Sequence, residues 1–133
     1  MSYVIAWIST GLIFAIADAI WLSQAAPRIY RPMIGELMRP DLSWPAAIAF
    51  YLIYVSGIVY FAVAPALAKQ SLSAALLNGA LLGLVAYATY DLTNQATLKI
   101  WDVRLTLIDM AWGAFASALA AGAGYWLTQR FSA

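Results

Sequence analysis

The sequence predicts an all-α integral membrane protein, a four-helix bundle with a short interfacial helix in its first cytoplasmic loop. Three observations predict it. Of 133 residues, 65% are hydrophobic and only 10% charged, where a soluble domain is roughly 45–50% apolar and about 25% charged. A 14.4 kDa globule has too little interior to hide that much apolar surface from water. Four stretches reach the ~20 mainly apolar residues a spanning helix needs, without the strict alternation of a barrel strand. They are expected at about 3–23, 45–67, 72–92 and 105–127, within a single transmembrane domain covering 1–133.

The first stretch has some look of a cleaved leader, because Ala25-Ala26 resembles a small-residue cleavage site. Its start carries no Lys or Arg, however, and Asp18 interrupts where a leader's apolar region is cleanest. It is expected to stay as the first span. After it, between Pro27 and Pro40, Tyr30, Met33, Ile34, Leu37 and Met38 recur at helical spacing with Arg31, Glu36 and Arg39 on other faces. Pro32 suits a first helical turn, so a short helix lying on the leaflet is expected here, with an irregular loop as the alternative. The second stretch brings Tyr51 and Tyr54, the third carries a Gly79–Gly83 stripe, and the fourth carries Gly113 and Ser117. Asp18-Ala-Ile-Trp21 and Asp109-Met-Ala-Trp112 share an Asp-x-x-Trp pattern, read as a common local solution and not as a repeat.

Loop charges set the orientation. Arg28, Arg31, Arg39, Lys99 and Arg104 fall on one side, against Lys69 and Arg130 on the other. The two longer loops are therefore expected in the cytoplasm, with both termini on the outer, periplasmic side of an inner membrane.

Composition also narrows the chemistry. Without His or Cys there is no disulfide, thiolate or imidazole base, and haem, copper and zinc sites lose their usual ligands. No cofactor is implied, and any metal would be a hard cation on oxygen. A net charge of +1 supplies no basic field for nucleic acid; the partner that the sequence implies is the bilayer.

Against this background Asp18, Asp91 and Asp109 stand out. An ionisable side chain near a span's centre costs about 2.5–3.5 kcal/mol on insertion scales and marks function by default. At 1.5 Å per residue, Asp18 and Asp109 lie about 7–8 Å inside their helix ends, and Asp91 is near the end of its helix, so all three fall in the cytoplasmic part of the membrane. Counting by fours from Asp91 gives Tyr87, Gly83, Gly79 and Ala75, and from Asp109 gives Gly113, Ser117 and Ala121; Ala15 and Gly11 lie beside Asp18. Positions four apart share a face, and small residues let membrane helices approach closely. The acids are thus expected to point into the bundle, with Gly79, Gly83 and Gly113 as packing positions.

Tyr90, Asn94, Trp21, Trp112 and Tyr54 accumulate around these acids, and with Tyr87 they complete the candidate substrate or proton site. For Tyr87 and Trp112 the site is preferred because each shares a face with an acid. For Trp44, Trp101, Tyr125 and Trp126 an interfacial aromatic belt is preferred. A structural alternative stays open for the acids: Asp91 capping the loop, Asp109 paired with Arg104, and Asp18 paired with Arg28 or Lys99.

The run Tyr87-Ala-Thr-Tyr90-Asp91-Leu-Thr-Asn94-Gln-Ala-Thr97-Leu, then Trp101, then Asp109-Met-Ala-Trp112-Gly113, resembles a bacterial membrane-protein family known as domain of unknown function 2177. Asp18-Ala-Ile-Trp21-Leu, Phe50-Tyr51-Leu-Ile-Tyr54 with Gly57, and Ala64-Pro65-Ala66-Leu67 fit the same pattern, so the likeness covers nearly the whole chain. It implies a small inner-membrane protein of a family without a settled activity.

Three functions remain open from the sequence. Binding or transporting a small solute or protons is preferred, because carboxyls crowded in one low-dielectric site cannot all ionise cheaply. A homodimer through the Gly79–Gly83 stripe would suit such a small transporter. An accessory subunit of a membrane complex is the second reading. The third is a membrane-embedded enzyme acting on lipids, with a hard cation such as Mg²⁺ bridging Asp18, Asp91 and Asp109; no obvious nucleophile or phosphate cradle accompanies it.

Overall fold

The computed structural model describes residues 2–132. Four helices are long and apolar enough to cross a bilayer: α1 (Ser2–Leu37), α2 (Trp44–Lys69), α3 (Leu72–Thr97) and α4 (Val103–Phe131), and no strand occurs among the described residues. The all-α, four-helix membrane architecture expected from composition is thus present. In hydrocarbon the backbone must satisfy its own hydrogen bonds, which is why only helices connect the two ends.

Two of the helices change pitch where proline breaks the ladder. α1 is α-helical over Ser2–Ala25, widens to a π turn over Ala26–Tyr30, and ends through Arg31–Ile34 and a tighter turn at Gly35–Leu37. α2 does the same over Val59–Val63 before its last stretch, Ala64–Lys69. A proline lacks an N–H, and its ring presses on the carbonyl four residues earlier. For Pro32 and Pro65 those carbonyls belong to Arg28 and Phe61, both inside the π turns. The ladder resumes with wider bonds, Arg31 N–H to the Ala26 carbonyl and Ala64 N–H to that of Val59.

The short helix expected after the first span therefore does not stand apart from it. It continues α1, whose 36 residues would measure about 54 Å, more than the ~40–45 Å of a bilayer with its headgroups. All of α1 cannot lie in hydrocarbon, and it is past Ala25 that the helix carries Arg28 and Arg31, both exposed.

α2 and α3 are joined tightly. Gln70 adopts the left-handed conformation (φ 52°, ψ 50°), which turns the chain so that Ser71 can cap α3 by accepting from the Ala74 N–H at 3.1 Å. α3 runs past the apolar stretch to Thr97, where the Leu98 N–H closes it on the Asn94 carbonyl; the Thr93 and Thr97 hydroxyls bond back to the carbonyls of Thr89 and Thr93. Asp102 caps α4 through the Arg104 N–H at 2.8 Å and pairs with the Arg104 guanidinium at 2.7 Å. Those bonds hold its carboxyl well below the usual range, at about 2, so this cap is ionised throughout the neutral range.

α4 is the central helix, packed closely on both α3 and α1. Lipid tails are as apolar as leucine, so helix contacts here rest on packing density, not on escape from water. Gly113, Ala116, Ser117, Ala120, Ala121 and Gly124 give α4 its close-packing faces. Gly79 and Gly83 of α3 are buried against it: a Cβ on Gly79 would lie 2.7 Å from the Ser117 carbonyl oxygen, and one on Gly83 would strike the Gly113 carbonyl. The stripe considered as a dimer face is thus consumed inside the bundle. Tyr125, expected in the aromatic belt, is buried as well, whereas Trp44 and Trp126 are exposed.

α2 is held unevenly. Its first half, to Ile58, packs on α1 and hardly touches α3, while the part from Val59 onward packs on α3. A gap is left between α2 and α3 at the end of the bundle where α1 and α3 finish.

Candidate functional site

The three intramembrane aspartates lie at that same end. Asp109, on the second turn of α4, is 7% exposed. It accepts from the Tyr30 hydroxyl at 2.6 Å, and Tyr30 accepts from the Trp21 indole N–H at 2.9 Å. Asp18, on α1, accepts from the Tyr51 hydroxyl of α2 at 2.5 Å. Asp91, on α3, has no exposure and lies against the Asp109 carboxyl, yet neither of its oxygens receives a hydrogen bond from a donor.

Among the described residues no base neutralises these acids. The one ion pair there is Arg104–Asp102, so the pairings of Asp109 with Arg104 and of Asp18 with Arg28 or Lys99 are not made. Nor does Asp91 cap the loop. Among the described residues no three acids gather closely enough to hold a metal ion, which leaves no basis for a cation bridging all three.

Aromatic side chains complete the walls. Trp21 and Trp112 stack at 4.7 Å with planes 8° apart, and the Trp112 indole N–H is buried without a partner. A cavity of about 300 Å³ is lined by Asp18, Trp21, Tyr30, Tyr87, Tyr90, Asp109 and Trp112, with Leu22, Ile34 and Met38 as its apolar part. A second cavity of about 430 Å³ reaches Asp109 from the other flank, through the α2–α3 gap, past Phe50, Ala86, Tyr87 and Tyr90. No Lys or Arg among the described residues lines either one.

Of the residues singled out from sequence, Asp18, Trp21, Tyr87, Tyr90, Asp109 and Trp112 line the first cavity together. Asp91 stands behind Asp109. Tyr54 adjoins through an edge contact with Tyr87 at 6.3 Å and shares a hydrogen bond with Ser117 at 2.6 Å. Asn94 is not brought in: it lines neither cavity, and its backbone carbonyl closes α3 by accepting from Leu98. Trp101 bonds Thr106 at 2.8 Å and meets Tyr90 edge-on.

Tyr30 and Tyr51 are the additions that the structure makes. Tyr30 belonged to an apolar helical stripe in the first loop, and Tyr51 stood one turn from Tyr54; neither had a sequence signal tying it to a particular acid. Replacing Tyr30 with phenylalanine is expected to lower stability by about 1–3 kcal/mol, since Asp109 and the Trp21 N–H both lose their partner. A denaturation midpoint in detergent checks this, and an unchanged midpoint would mean water replaces the hydroxyl without loss.

Comparison with known proteins adds one assignment. No curated protein and no solved structure matches the chain. A family described as "Predicted membrane protein (DUF2177)" matches it over residues 3–126, nearly its whole length and every part of the site just described. The chain belongs to that family of membrane proteins.

Proposed function

We propose that the protein binds a small solute or protons at the Asp18, Asp91 and Asp109 cluster and carries them across the membrane. The observation that supports this reading is that Asp18 and Asp109, from two helices, line one aromatic cavity, with Asp91 of a third helix buried beside Asp109 and no basic partner among the described residues. Carboxyls kept only for structure are normally paired, because a lone buried charge is expensive. Two buried carboxyls side by side cannot both be anionic without a neighbouring cation, so uptake of a proton or a cation at Asp91 and Asp109 relieves their crowding. Releasing a proton and taking it up again as a solute enters is the elementary step of coupled exchange.

In this reading the chain is one transmembrane unit of a bacterial inner membrane. The end bearing Arg28, Arg31, Arg39 and Lys99 faces the cytoplasm and the termini lie outside, as the loop charges favour. The cavity then opens toward the inner leaflet.

The test is reconstitution into liposomes with a trapped pH-sensitive dye and an imposed proton gradient. Wild-type protein is expected to move protons faster than empty liposomes do, and Asp109→Asn and Asp91→Asn to slow that flux by about tenfold or more, a barrier increase of roughly 1.4 kcal/mol. Flux indistinguishable from empty liposomes, or unaffected by both substitutions, removes the transport reading.

A further inference from the structure

We propose that the solute is a monovalent organic cation with an apolar body, such as an alkylammonium, which enters from the membrane between the first half of α2 and α3. The inference rests on the binding reading above and adds the ligand's chemistry and route.

Charge comes first. The walls around the site offer carboxyls from Asp18 and Asp109 and hydroxyls from tyrosines, with no Lys or Arg among the described residues that line it. Asp91, wholly buried and without a donor, lies beside Asp109 but lines neither space, so the carboxyls that a ligand can meet are those of Asp18 and Asp109. An anionic ligand would add like charge to an already crowded site and is excluded on that ground.

Shape and surface come next. Stacked Trp21 and Trp112 present indole surfaces beside Asp18 and Asp109. Aromatic faces attract cations, most strongly where water is displaced, and the outer face of the stacked pair is the one a cation could meet. A volume of about 300 Å³ sits at the small end of ordinary ligand pockets, which suits a head of a few heavy atoms. The neighbouring space past Phe50, Ala86 and Tyr90 is almost wholly apolar and leads outward through the α2–α3 gap, so it can hold the ligand's tail. A hydrated inorganic cation would have no use for that second space.

The titratable groups that face the carboxyls are Tyr30 from the α1 extension, Tyr51 from α2, Tyr87 and Tyr90 from α3, and no base from any described element; Tyr54 is engaged with Ser117 instead.

The experiment titrates the purified full chain in nonionic detergent with hexyltrimethylammonium, hexanol, hexanoate and tetramethylammonium, following tryptophan fluorescence. Hexyltrimethylammonium is expected to bind saturably, about tenfold or more tighter than hexanol or tetramethylammonium, with hexanoate not binding. Asp109→Asn is expected to weaken it by about tenfold, and Phe50→Ala to weaken it by cutting the tail's contacts while leaving the head preference unchanged. Equal binding of hexanol, binding of hexanoate, or undiminished affinity in Asp109→Asn overturns the proposal. If the Asp109→Asn protein fails to fold, the head-group comparison on wild-type protein decides alone. Cation binding without proton flux would sink transport but uphold this inference; proton flux with no cation binding would do the reverse.

Discussion

Gly83→Leu is expected to lower stability by about 3 kcal/mol or more, at the upper end of what an overpacked core position loses. Even the first carbon of a side chain there would strike the Gly113 carbonyl and approach the Ser117 hydroxyl oxygen to 2.7 Å. The obstacle is backbone, which cannot rotate away, so α3 has to lift from α4 along the most extensive helix interface in the bundle. Gly57→Ala is the matching control, because a Cβ there meets nothing within 4 Å and alanine is better by roughly 0.8–1 kcal/mol inside a helix. Thermal midpoints in detergent should move in opposite directions for the two variants. A Gly83→Leu protein as stable as wild type would mean that the α3–α4 contact is not the one described.

Asp91→Asn is expected to make the protein more stable, by about 1–3 kcal/mol, while slowing the proposed proton flux by about tenfold or more. The carboxyl is wholly buried without a donor and faces another carboxyl, whereas an amide of the same shape brings an N–H that Asp109 can accept. Groups that a fold carries at a loss are those kept for chemistry, and their removal commonly trades activity for stability. Denaturant titration beside the flux assay reads both halves. A loss of stability in the Asp91→Asn protein would show that the carboxyl holds the helices together and would count against a chemical role.

Much of this arrangement was legible in the residues. Hydropathy located all four spans, and counting by fours from Asp91 and Asp109 placed Gly83 and Gly113 where α3 and α4 meet. It failed where a helix outlasts its apolar stretch or leaves the regular α pitch. The apolar stretch ends near Asp91, but α3 continues as a regular helix through polar residues to Thr97. Asn94 therefore sits on a polar extension beyond the cavity. Tyr30 was hidden for the opposite reason. A π turn at Ala26–Tyr30 shifts the face on which later residues emerge, and no periodic count based on 3.6 residues per turn follows that shift. The two bridges, Tyr30 to Asp109 and Tyr51 to Asp18, join helices distant in sequence, and helical spacing carries no information about which partners meet.

The wider turn at Val59–Val63 separates two stretches of α2 that answer to different neighbours. The Trp44 end is tied to α1, through Tyr51 to Asp18 and Trp7 to Ser56, while the Lys69 end rests on α3. A substitution at one end is therefore felt first by a different neighbour from a substitution at the other.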